Sequence, residues 1–439
     1  MSELPQGWSQ STLAEVAKDI SYGFTTSAAD SEENPKLLRI TDVQDYSVEW
    51  SDVPFCKDAP PDDKLLSSGD IVIARTGATT GKSYLLSDIP TETAFASYLI
   101  RVRSSDAVDP EYLWKFMWSP DYWRQITVVS KGTAQPGANA SILGSLELPI
   151  PPLLEQRRIV AKLDRLSTRS AAARDHLTRT TKLATRAKQA ILAQAFDGRL
   201  TKEWRSASGA QFPWAQECIG EISHIITGNT PPTKNKANYG DEHPFVKPGD
   251  LDKGAIYATE SHLSSDGYSI ARQLPIDTVL VSCIGNLGKI GILARNGSCN
   301  QQINALLPSA DLLPRFTYWW AHTIRSWLEE NASATTVSII NKGRFSLAPI
   351  SVPCMEEQAE IVRRIEAAFA RIDRLTEEAS RAAHLLDRLD ERLLAKAFRG
   401  ELVPQDPDDE PAEALLTRIR EARAAAPKAK RGRRKKAEA

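Results

Sequence analysis

The chain has 439 residues, of which 41% are hydrophobic and 25% are charged, and this length fits two or three globular domains. Its apolar runs, such as Ile71 to Ala74, fall far short of the roughly 18 residues that a membrane span needs, and residues 1–10 contain no apolar stretch typical of a signal peptide. We therefore expect a cytoplasmic protein with no membrane partner.

Cysteine and charge exclude further classes. The five cysteines form no C-x-x-C pair and, like the six histidines, are scattered, which disfavours a disulfide scaffold or a zinc module. The formal net charge is -1, but residues 1–150 carry 12 basic and 21 acidic side chains, residues 151–202 carry 12 and 4, and residues 205–352 carry 12 and 12. No segment of domain size is uniformly basic, so any DNA contact must come from local clusters or from partners.

The first segment, residues 1–148, has the short apolar runs of a mixed domain with short strands. Within it, a buried strand run from Asp70 leads into a Gly/Thr loop that ends in Gly81-Lys82-Ser83. A Walker A phosphate loop is disfavoured, because three residues instead of four separate Gly77 from Gly81 and the sequence after Lys82 is typical of a strand. Two interpretations stay open, a purely structural hairpin and a loop that also contacts DNA; the candidates for DNA contact are Arg75, Thr76, Thr79, Thr80 and Lys82.

Two groups of tryptophans follow prolines at helical spacing. Trp114, Trp118 and Trp123 come after Pro110, and a second group, Trp319, Trp320 and Trp327, comes after Pro314. Aromatic residues at this spacing are more often core residues than platforms for stacked bases.

A direct repeat dominates the chain. Residues 151–200 align without a gap with residues 353–402, giving 15 identities in 50 positions. Both copies have helical periodicity, with a proline before the start and Gly198 or Gly400 at the end, which predicts two helices of about 40 residues, roughly 60 Å long.

Each long helix has one apolar stripe that must be buried, and the matching stripe is on the other copy. We expect the two helices to pair, in antiparallel direction, along a seam made by Ile159, Leu163, Leu166, Leu177, Ile191, Ile361, Ile365, Ile372, Leu375, Leu386, Leu389 and Leu393. The alternative is two separate amphipathic helices, each packed on its own domain.

The segment between the helices, residues 213–350, is weakly similar to the first segment, which predicts one duplicated fold with divergent loops. Gly81-Lys82 matches Gly288-Lys289 at the end of a similar strand and loop. We take Ser282, Asn286 and Lys289 as the counterparts of the first loop's candidates. Further basic candidates for DNA contact lie in comparable loops of both segments, although each alone is more often a solvated charge: Lys131, Lys234, Lys236, Lys342 and Arg344.

The C-terminal segment, residues 403–439, combines a short predicted helix around Leu415, Leu416 and Ile419 with a basic run from Lys428 to Lys436. The composition of the run is typical of a disordered tail that attracts phosphates loosely. No G-x-S-x-G, H-E-x-x-H, N-P-P-Y/F or nuclease carboxylate motif is found in the chain. We therefore expect no catalytic residues, no metal site and no enzyme activity in this chain.

With these features in place, the chain resembles the specificity subunits of type I restriction-modification systems over essentially its full length. The matching features are the opening Leu4-Pro-Gln-Gly-Trp8, the strand at residues 69–72 with its Gly-Lys loop, the phrase Leu148-Pro-Ile-Pro-Pro-Leu-Leu-Glu-Gln156, and the end Ala397-Phe-Arg-Gly-Glu-Leu-Val-Pro404 followed by residues 408–413. Their order and duplication are more specific than any one of them.

The resemblance implies an α+β fold, in which two mixed α/β target recognition domains are joined by two long helices that form an antiparallel coiled coil. The expected divisions are a first recognition domain at residues 1–150, a first helix at 151–202, a second recognition domain at 203–352, a second helix at 353–402 and a tail at 403–439. Each recognition domain would recognise one half of an asymmetric, bipartite target in double-stranded DNA.

The implied partners are two methyltransferase subunits docked on the helices, together with motor-nuclease restriction subunits. S-adenosylmethionine, ATP and Mg would act in those partners, and this chain would hold no cofactor. A second hypothesis from another class is a coiled-coil scaffold whose paired domains bind proteins and never contact DNA.

Overall fold

The computed structural model describes residues 4–44, 47–130, 137–209, 214–333 and 337–425. It separates into two units, a first unit of residues 1–176 with 382–439 and a second unit of residues 177–381. Each unit contains one mixed domain and one half of each long helix. Lys131 and the basic run from Lys428 to Lys436 lie outside the described residues.

The first unit is built on a four-stranded antiparallel sheet whose central strand, Asp70–Ala74, is buried throughout. Ile71 and Ile73 point into one apolar core, while Val72 and Ala74 point into another, as the alternation of a strand requires. The sheet has the strand order Ala17–Tyr22, Leu99–Ser104, Asp70–Ala74, Ser83–Leu85.

Smaller sheets complete the first domain. The second sheet has the strand order Thr93–Phe95, Lys36–Leu38, Phe55–Cys56, Ala28–Ala29. Two further sheets have two strands each: Ser9–Thr12 pairs with Glu147–Ile150, and Val43–Gln44 pairs with Ser47–Val48. Its helices are Leu13–Val16, Pro110–Phe116, Pro120–Ser130 and Ala140–Gly144. Pro110 begins its helix because a proline in the first turn removes no helical hydrogen bond, and Asp109 caps that end by accepting from the Glu111 amide.

The second unit repeats this plan. Its central strand Val279–Ser282 is also buried, with Val279 and Val281 in one core and Leu280 in the other. The main sheet has the strand order Ile225–Thr227, Ile303–Leu306, Val279–Ser282, Ile290–Leu293, Gly254–Ile256. The second sheet has the strand order Tyr239–Gly240, His262–Leu263, His243–Val246, Ser298–Cys299. A third, two-stranded sheet pairs Ala215–Cys218 with Pro349–Val352. Its shorter helices are Lys202–Ser208, Ile219–Ile222, Ser265–Ile270, Pro314–Ala321, Arg325–Asn331 and Lys342–Phe345.

The two long helices are present and run antiparallel within each unit. They span Leu153–Phe196 and Met355–Ala397. In the first unit, Ser170 donates to Asp390 at 2.8 Å, and Arg174, further along the first helix, lies 2.8 Å from Asp387, which comes earlier on the second. In the second unit, Lys188 pairs with Asp373. Partner numbers fall as the first helix advances, which confirms the antiparallel direction, and the basic helix contributes the cations of these pairs.

The ends of the paired helices are the best buried part of the seam. Ile159 and Leu163 join the first unit's core, where Leu393, Ala397 and Phe398 from the end of the second helix also pack. In the second unit, Ile361 and Ile365 join a core that also holds Ile191. The remaining seam positions that are half-buried are Leu166, Leu177, Ile372 and Leu386.

Leu375 and Leu389 depart from the expected seam, since 57% and 47% of their surfaces are exposed. The well-buried middle positions are small, Ala379 in the second unit and Ser170 in the first. A straight helix drifts by roughly 20° per heptad relative to a repeat of 3.5 residues. An apolar pattern with alternating steps of four and three residues follows the 3.5-residue repeat. Over 40 residues it therefore does not keep every leucine on one face of the helix.

The C-terminal segment forms a helix, Ala412–Ala425, that packs on the first domain. Leu416 is buried in the first unit's core, and the Ala412 amide donates to the Gly7 carbonyl at 2.9 Å. Arg420 forms an ion pair with Glu15, and Arg423 donates to the carbonyls of Ala14 and Ala17. Both ends of the described chain thus belong to one unit.

Candidate nucleic-acid interface

The Gly/Thr loop of the first domain is a hairpin. Strand Asp70–Ala74 is followed by a 3-10 turn at Gly77–Thr79 and then by strand Ser83–Leu85, which pairs with it antiparallel. No helix follows the lysine, so the rejection of a Walker A loop is confirmed. Gly77 and Gly81 have positive φ values of 76° and 90°, and a Cβ on Gly81 would lie 3.0 Å from Ile126 Cγ2.

The candidates on this hairpin differ in their surroundings. Arg75 lies over the Tyr22 ring, with its guanidinium carbon 5.0 Å from the ring centroid, and donates to the Ser97 carbonyl at 3.3 Å. The Thr80 hydroxyl donates to the Gly77 carbonyl at 2.8 Å. The other three, Thr76, Thr79 and Lys82, are half-buried. The Tyr22 ring and the Ser97 carbonyl therefore hold the Arg75 guanidinium in place, and a guanidinium can recognise a base edge through two parallel hydrogen bonds.

The equivalent hairpin of the second domain corrects one expectation. Ser282 is fully buried; its hydroxyl donates to the Asn286 carbonyl at 2.6 Å and accepts from the Lys289 amide at 2.9 Å. The pleat of the strand directs Ser282 inward, so it fixes the loop and cannot meet a base edge. Asn286 is exposed and accepts from Arg325 at 3.3 Å, and the Lys289 ammonium is 3.9 Å from Asp252.

The remaining basic candidates lie on other elements. Lys234 and Lys236 are exposed at a 3-10 turn that spans Lys236–Asn238. Lys342 and Arg344 are exposed on the short helix that Asn341 caps by accepting from the Arg344 amide. Exposure suits a phosphate contact, and nothing in these surroundings favours a base.

The tryptophans are core residues. Trp319 and Trp320 are buried in the second unit, and Trp114, Trp123 and Trp327 pack against the cores as half-buried side chains. Trp118 stacks edge-on with Trp114 at 4.6 Å, beneath the buried ammonium of Lys115, which also pairs with Asp164 of the first long helix at 2.8 Å. The preference for a core role over base stacking therefore holds.

The repeated Glu-Gln motif attaches each domain to a long helix. Gln156 accepts from the Asp109 amide at 2.8 Å and donates to the carbonyls of Ala107 and Pro151. Gln358 makes the same three bonds in the second unit, to Leu313, Asp311 and Pro353. Because these are bonds to the backbone, they fix where each helix leaves its domain.

The glutamates of this motif are buried beside a tryptophan. Glu155 accepts from Trp8 at 3.1 Å and from Gln405 at 3.3 Å, and burial raises its pKa although the Trp8 hydrogen bond opposes the shift. Glu357 accepts from Trp214 at 3.0 Å and from Thr201 at 2.7 Å, and it also pairs with Arg205. The first junction thus has a neutral partner where the second has a cation.

Metal and membrane features are not found in the described part of the chain. No group of three or more His, Cys, Asp or Glu residues there could hold a metal ion. No helix among the described residues is long and apolar enough to cross a membrane.

The duplicated α/β domain, joined to half of each long helix and carrying a polar hairpin loop, defines a two-domain recognition protein. A family model described as the type I restriction modification DNA specificity domain matches residues 5–177 and again residues 213–382. The chain therefore belongs to the type I restriction-modification DNA specificity family.

Individual relatives agree over the whole length. The chain is 26% identical over 457 residues to the type I restriction enzyme StySPI specificity subunit of Salmonella potsdam, with 96% of each chain covered. It is 25% identical over 472 residues to the EcoKI specificity subunit of Escherichia coli K12, with 99% of each covered.

Solved structures share the fold. A chain from a structure of complex assembly and conformational transition of the type I R-M system has a TM-score of 0.73 at 24% identity, with 92% of this chain and 100% of that chain covered. The HsdS subunit from Thermoanaerobacter tengcongensis has a TM-score of 0.61 at 22% identity, with 91% and 98% covered.

Proposed function

We propose that this chain is the noncatalytic DNA-recognition component of a type I restriction-modification complex, and that each domain recognises one half of an asymmetric two-part target. The observation that carries the proposal is the duplicated hairpin, whose two loops follow equivalent buried strands and present different polar side chains. Arg75 lies over Tyr22 in one copy, and Asn286 is exposed in the other. Two domains of one fold with unlike loops favour two unlike half-sites.

The long helices are proposed to set the spacing between the half-sites. Each helix contributes one half to each unit, and the Glu-Gln motifs join each helix start to its domain through buried bonds. A spacing held by paired helices is the counterpart of the half-site separation that dimer geometry sets in symmetric DNA-binding proteins.

Methyltransferase subunits are the proposed partners on the helices. Leu183 and Leu385 occupy equivalent positions of the repeat, and 61% and 63% of their surfaces are exposed. Two equivalent exposed leucines suit two copies of one partner. Methylation and cleavage, with S-adenosylmethionine, ATP and Mg, would belong to partner subunits.

Co-expression with a candidate methyltransferase subunit, followed by genome-wide mapping of methyladenine, tests the proposed function. We expect a split motif with an undefined central gap. Arg75→Ala is expected to alter one half of the motif alone. A stable complex that leaves the genome unmethylated would favour the alternative of a protein scaffold that does not bind DNA.

Docking on the helices is tested by replacing Leu183 and Leu385 with glutamate, singly and together. We expect each single variant to lose part of the copurified methyltransferase and the double variant to lose most of it. Because both side chains are exposed, thermal unfolding of the isolated chain should be unchanged. Full retention of the partner by the double variant would contradict this docking surface.

The acidic first domain predicts weak DNA binding by the isolated chain. Residues 1–150 carry 21 acidic and 12 basic side chains, so phosphate attraction from this domain is poor. We expect the methyltransferase subunits to supply much of the affinity. Fluorescence anisotropy with the purified chain alone tests this expectation, and nanomolar specific binding would refute it.

A further inference from the structure

One end of the main sheet has the same backbone frame in both units. Residues 22–24, 75 and 96–98 form it in the first unit, and residues 227–229, 283 and 300–302 form it in the second; we call each set a strand-end platform. A Cβ on Gly23 would lie 2.2 Å from the Ala96 carbonyl oxygen, and a Cβ on Gly228 would lie 2.2 Å from that of Asn300. Glycine is required at both positions because two chain segments touch there.

Backbone hydrogen bonds establish which residues correspond. The Arg75 amide donates to the Tyr98 carbonyl at 3.1 Å, and the Cys283 amide donates to the Gln302 carbonyl at 2.8 Å. The next bonds agree, since the Ala138 amide donates to Arg75 and the Ile340 amide to Cys283. Arg75 therefore corresponds to Cys283, which corrects the sequence-based match of the loop candidates: Ser282 occupies the position of Ala74.

The side chains on this frame are different in the two units. In the first unit the platform carries Arg75 against Tyr22, with Tyr98 beside them, 58% exposed. The Tyr22 hydroxyl accepts from the Ala140 amide at 3.0 Å, which holds the ring under the guanidinium. This platform is aromatic and cationic.

In the second unit the platform carries the amide side chains of Gln301 and Gln302, and the guanidinium of Arg272 donates to the Thr227 carbonyl at its edge. Cys283 is buried, and burial raises the pKa of its thiol to about 11, so this position presents no charge. Gln301 is exposed and accepts from the Thr230 hydroxyl at 2.6 Å, while half-buried Gln302 accepts from the Asn300 side chain at 3.0 Å. Both glutamines are held by neighbours while they retain a donor and an acceptor group.

Positions that remain identical between the two units serve the fold. Trp8 and Trp214 donate to the buried glutamates, and Asn139 and Asn341 cap equivalent helices. The strand-end platform combines an unchanged backbone with changed side chains at the surface. The two copies therefore differ in side chains at positions where their backbones correspond.

We propose that the strand-end platforms determine base specificity, with Tyr22, Arg75 and Tyr98 acting on one half-site and Gln301 and Gln302 on the other. This inference rests on the proposed function and adds to it the positions that make the two half-sites different. Arginine and glutamine are side chains that recognise base edges through paired hydrogen bonds, and an exposed tyrosine adds an apolar contact surface.

The test uses the complex of the full chain with its methyltransferase and compares the methyladenine motif of the wild type with those of platform variants. Tyr98→Ala is expected to relax the same half of the motif as Arg75→Ala. Gln301→Ala and Gln302→Ala are expected to relax the other half. Discrimination at the affected base pairs should fall by about 10-fold, the effect of losing one good base contact.

Matched variants separate specificity from folding. Gln216→Ala removes another exposed glutamine of the second unit, one that accepts a single hydrogen bond from Ser351 at 3.0 Å, and it should leave the motif unchanged. Gln302→Glu keeps the shape of the side chain but replaces its donor, and it should change the second half even where thermal unfolding matches the wild type.

Platform variants that all keep the wild-type motif, or that weaken both halves equally, would overturn this inference while leaving the proposed function in place. A wild-type complex that yields no two-part motif would overturn both.

Discussion

The two helix junctions show how one contact persists while its electrostatics change. In both units a tryptophan indole donates to a buried glutamate at the start of a long helix, at 3.1 Å from Trp8 and 3.0 Å from Trp214. Glu155 is completed by the neutral amide of Gln405, whereas Glu357 is completed by Arg205, whose side chain is itself buried. The glutamate is thus compatible with either partner, but removing its charge should affect the two units unequally.

The largest expected effect comes from breaking the charged junction. Glu357→Gln leaves the buried Arg205 without its counter-charge, and we expect the second unit to lose about 3 kcal/mol of unfolding free energy. Glu155→Gln leaves no buried cation unpaired and keeps an acceptor for Trp8, so it should change the first unit by less than about 1 kcal/mol. Urea unfolding of the two single variants measures the difference; equal losses would show that the junctions are electrostatically alike.

A smaller effect is expected where the two units are alike. Ile159 and Ile361 are equivalent in the repeat and fully buried, so Ile159→Val and Ile361→Val should each cost about 1 kcal/mol. Leu183→Ala and Leu385→Ala serve as controls, since these exposed leucines should change stability by less than about 0.5 kcal/mol. Thermal unfolding of the four variants measures these losses. If the two leucine variants unfolded at lower temperature than the two isoleucine variants, the assignment of the isoleucines to the buried helix ends would be contradicted.

The smallest expected effect is a pH dependence at the first junction. Burial raises the pKa of Glu155 in the folded protein above its ordinary value of 4.5, so the folded state binds this proton more tightly than the unfolded chain does. The stability from this group is fully present below pH 4.5 and is lost as pH rises through the raised pKa. As pH increases from 4.5, the Tm of Glu155→Gln should therefore rise relative to the Tm of the wild type. A fall in the relative Tm of the variant over this pH range would contradict the prediction.

The repeat and the helices could be predicted because their signals are local. Fifteen identities between residues 151–200 and 353–402 and a helical period need no tertiary information. The hairpin at Gly77 and Gly81 was also predictable, since the glycine spacing and the strand residues that follow exclude a phosphate loop. The helical spacing of apolar residues gave a wrong prediction at Leu375 and Leu389, because the geometry of the paired helices decides which face is buried.

The rest of the candidate site depends on contacts between distant residues. Ser282 looks like an exposed strand end in the sequence, and only the loop that returns at Lys289 shows why it is buried. Tyr98 follows Arg75 by 23 residues and Gln302 follows Cys283 by 19, and the sequence-based set of counterparts included Ser282 but not Cys283. Backbone hydrogen bonds were needed to find the corresponding positions.

The C-terminal helix packs against the first residues of the described chain, since the Ala412 amide bonds to Gly7 and Arg420 pairs with Glu15. A peptide linker could therefore connect Ala425 to Leu4, and new ends could be opened between Gly209 and Trp214, after the first long helix has ended. Such a circular permutant would begin with the present second domain and keep every junction described above, which makes the order of the two recognition domains along the gene a matter of history and not of folding.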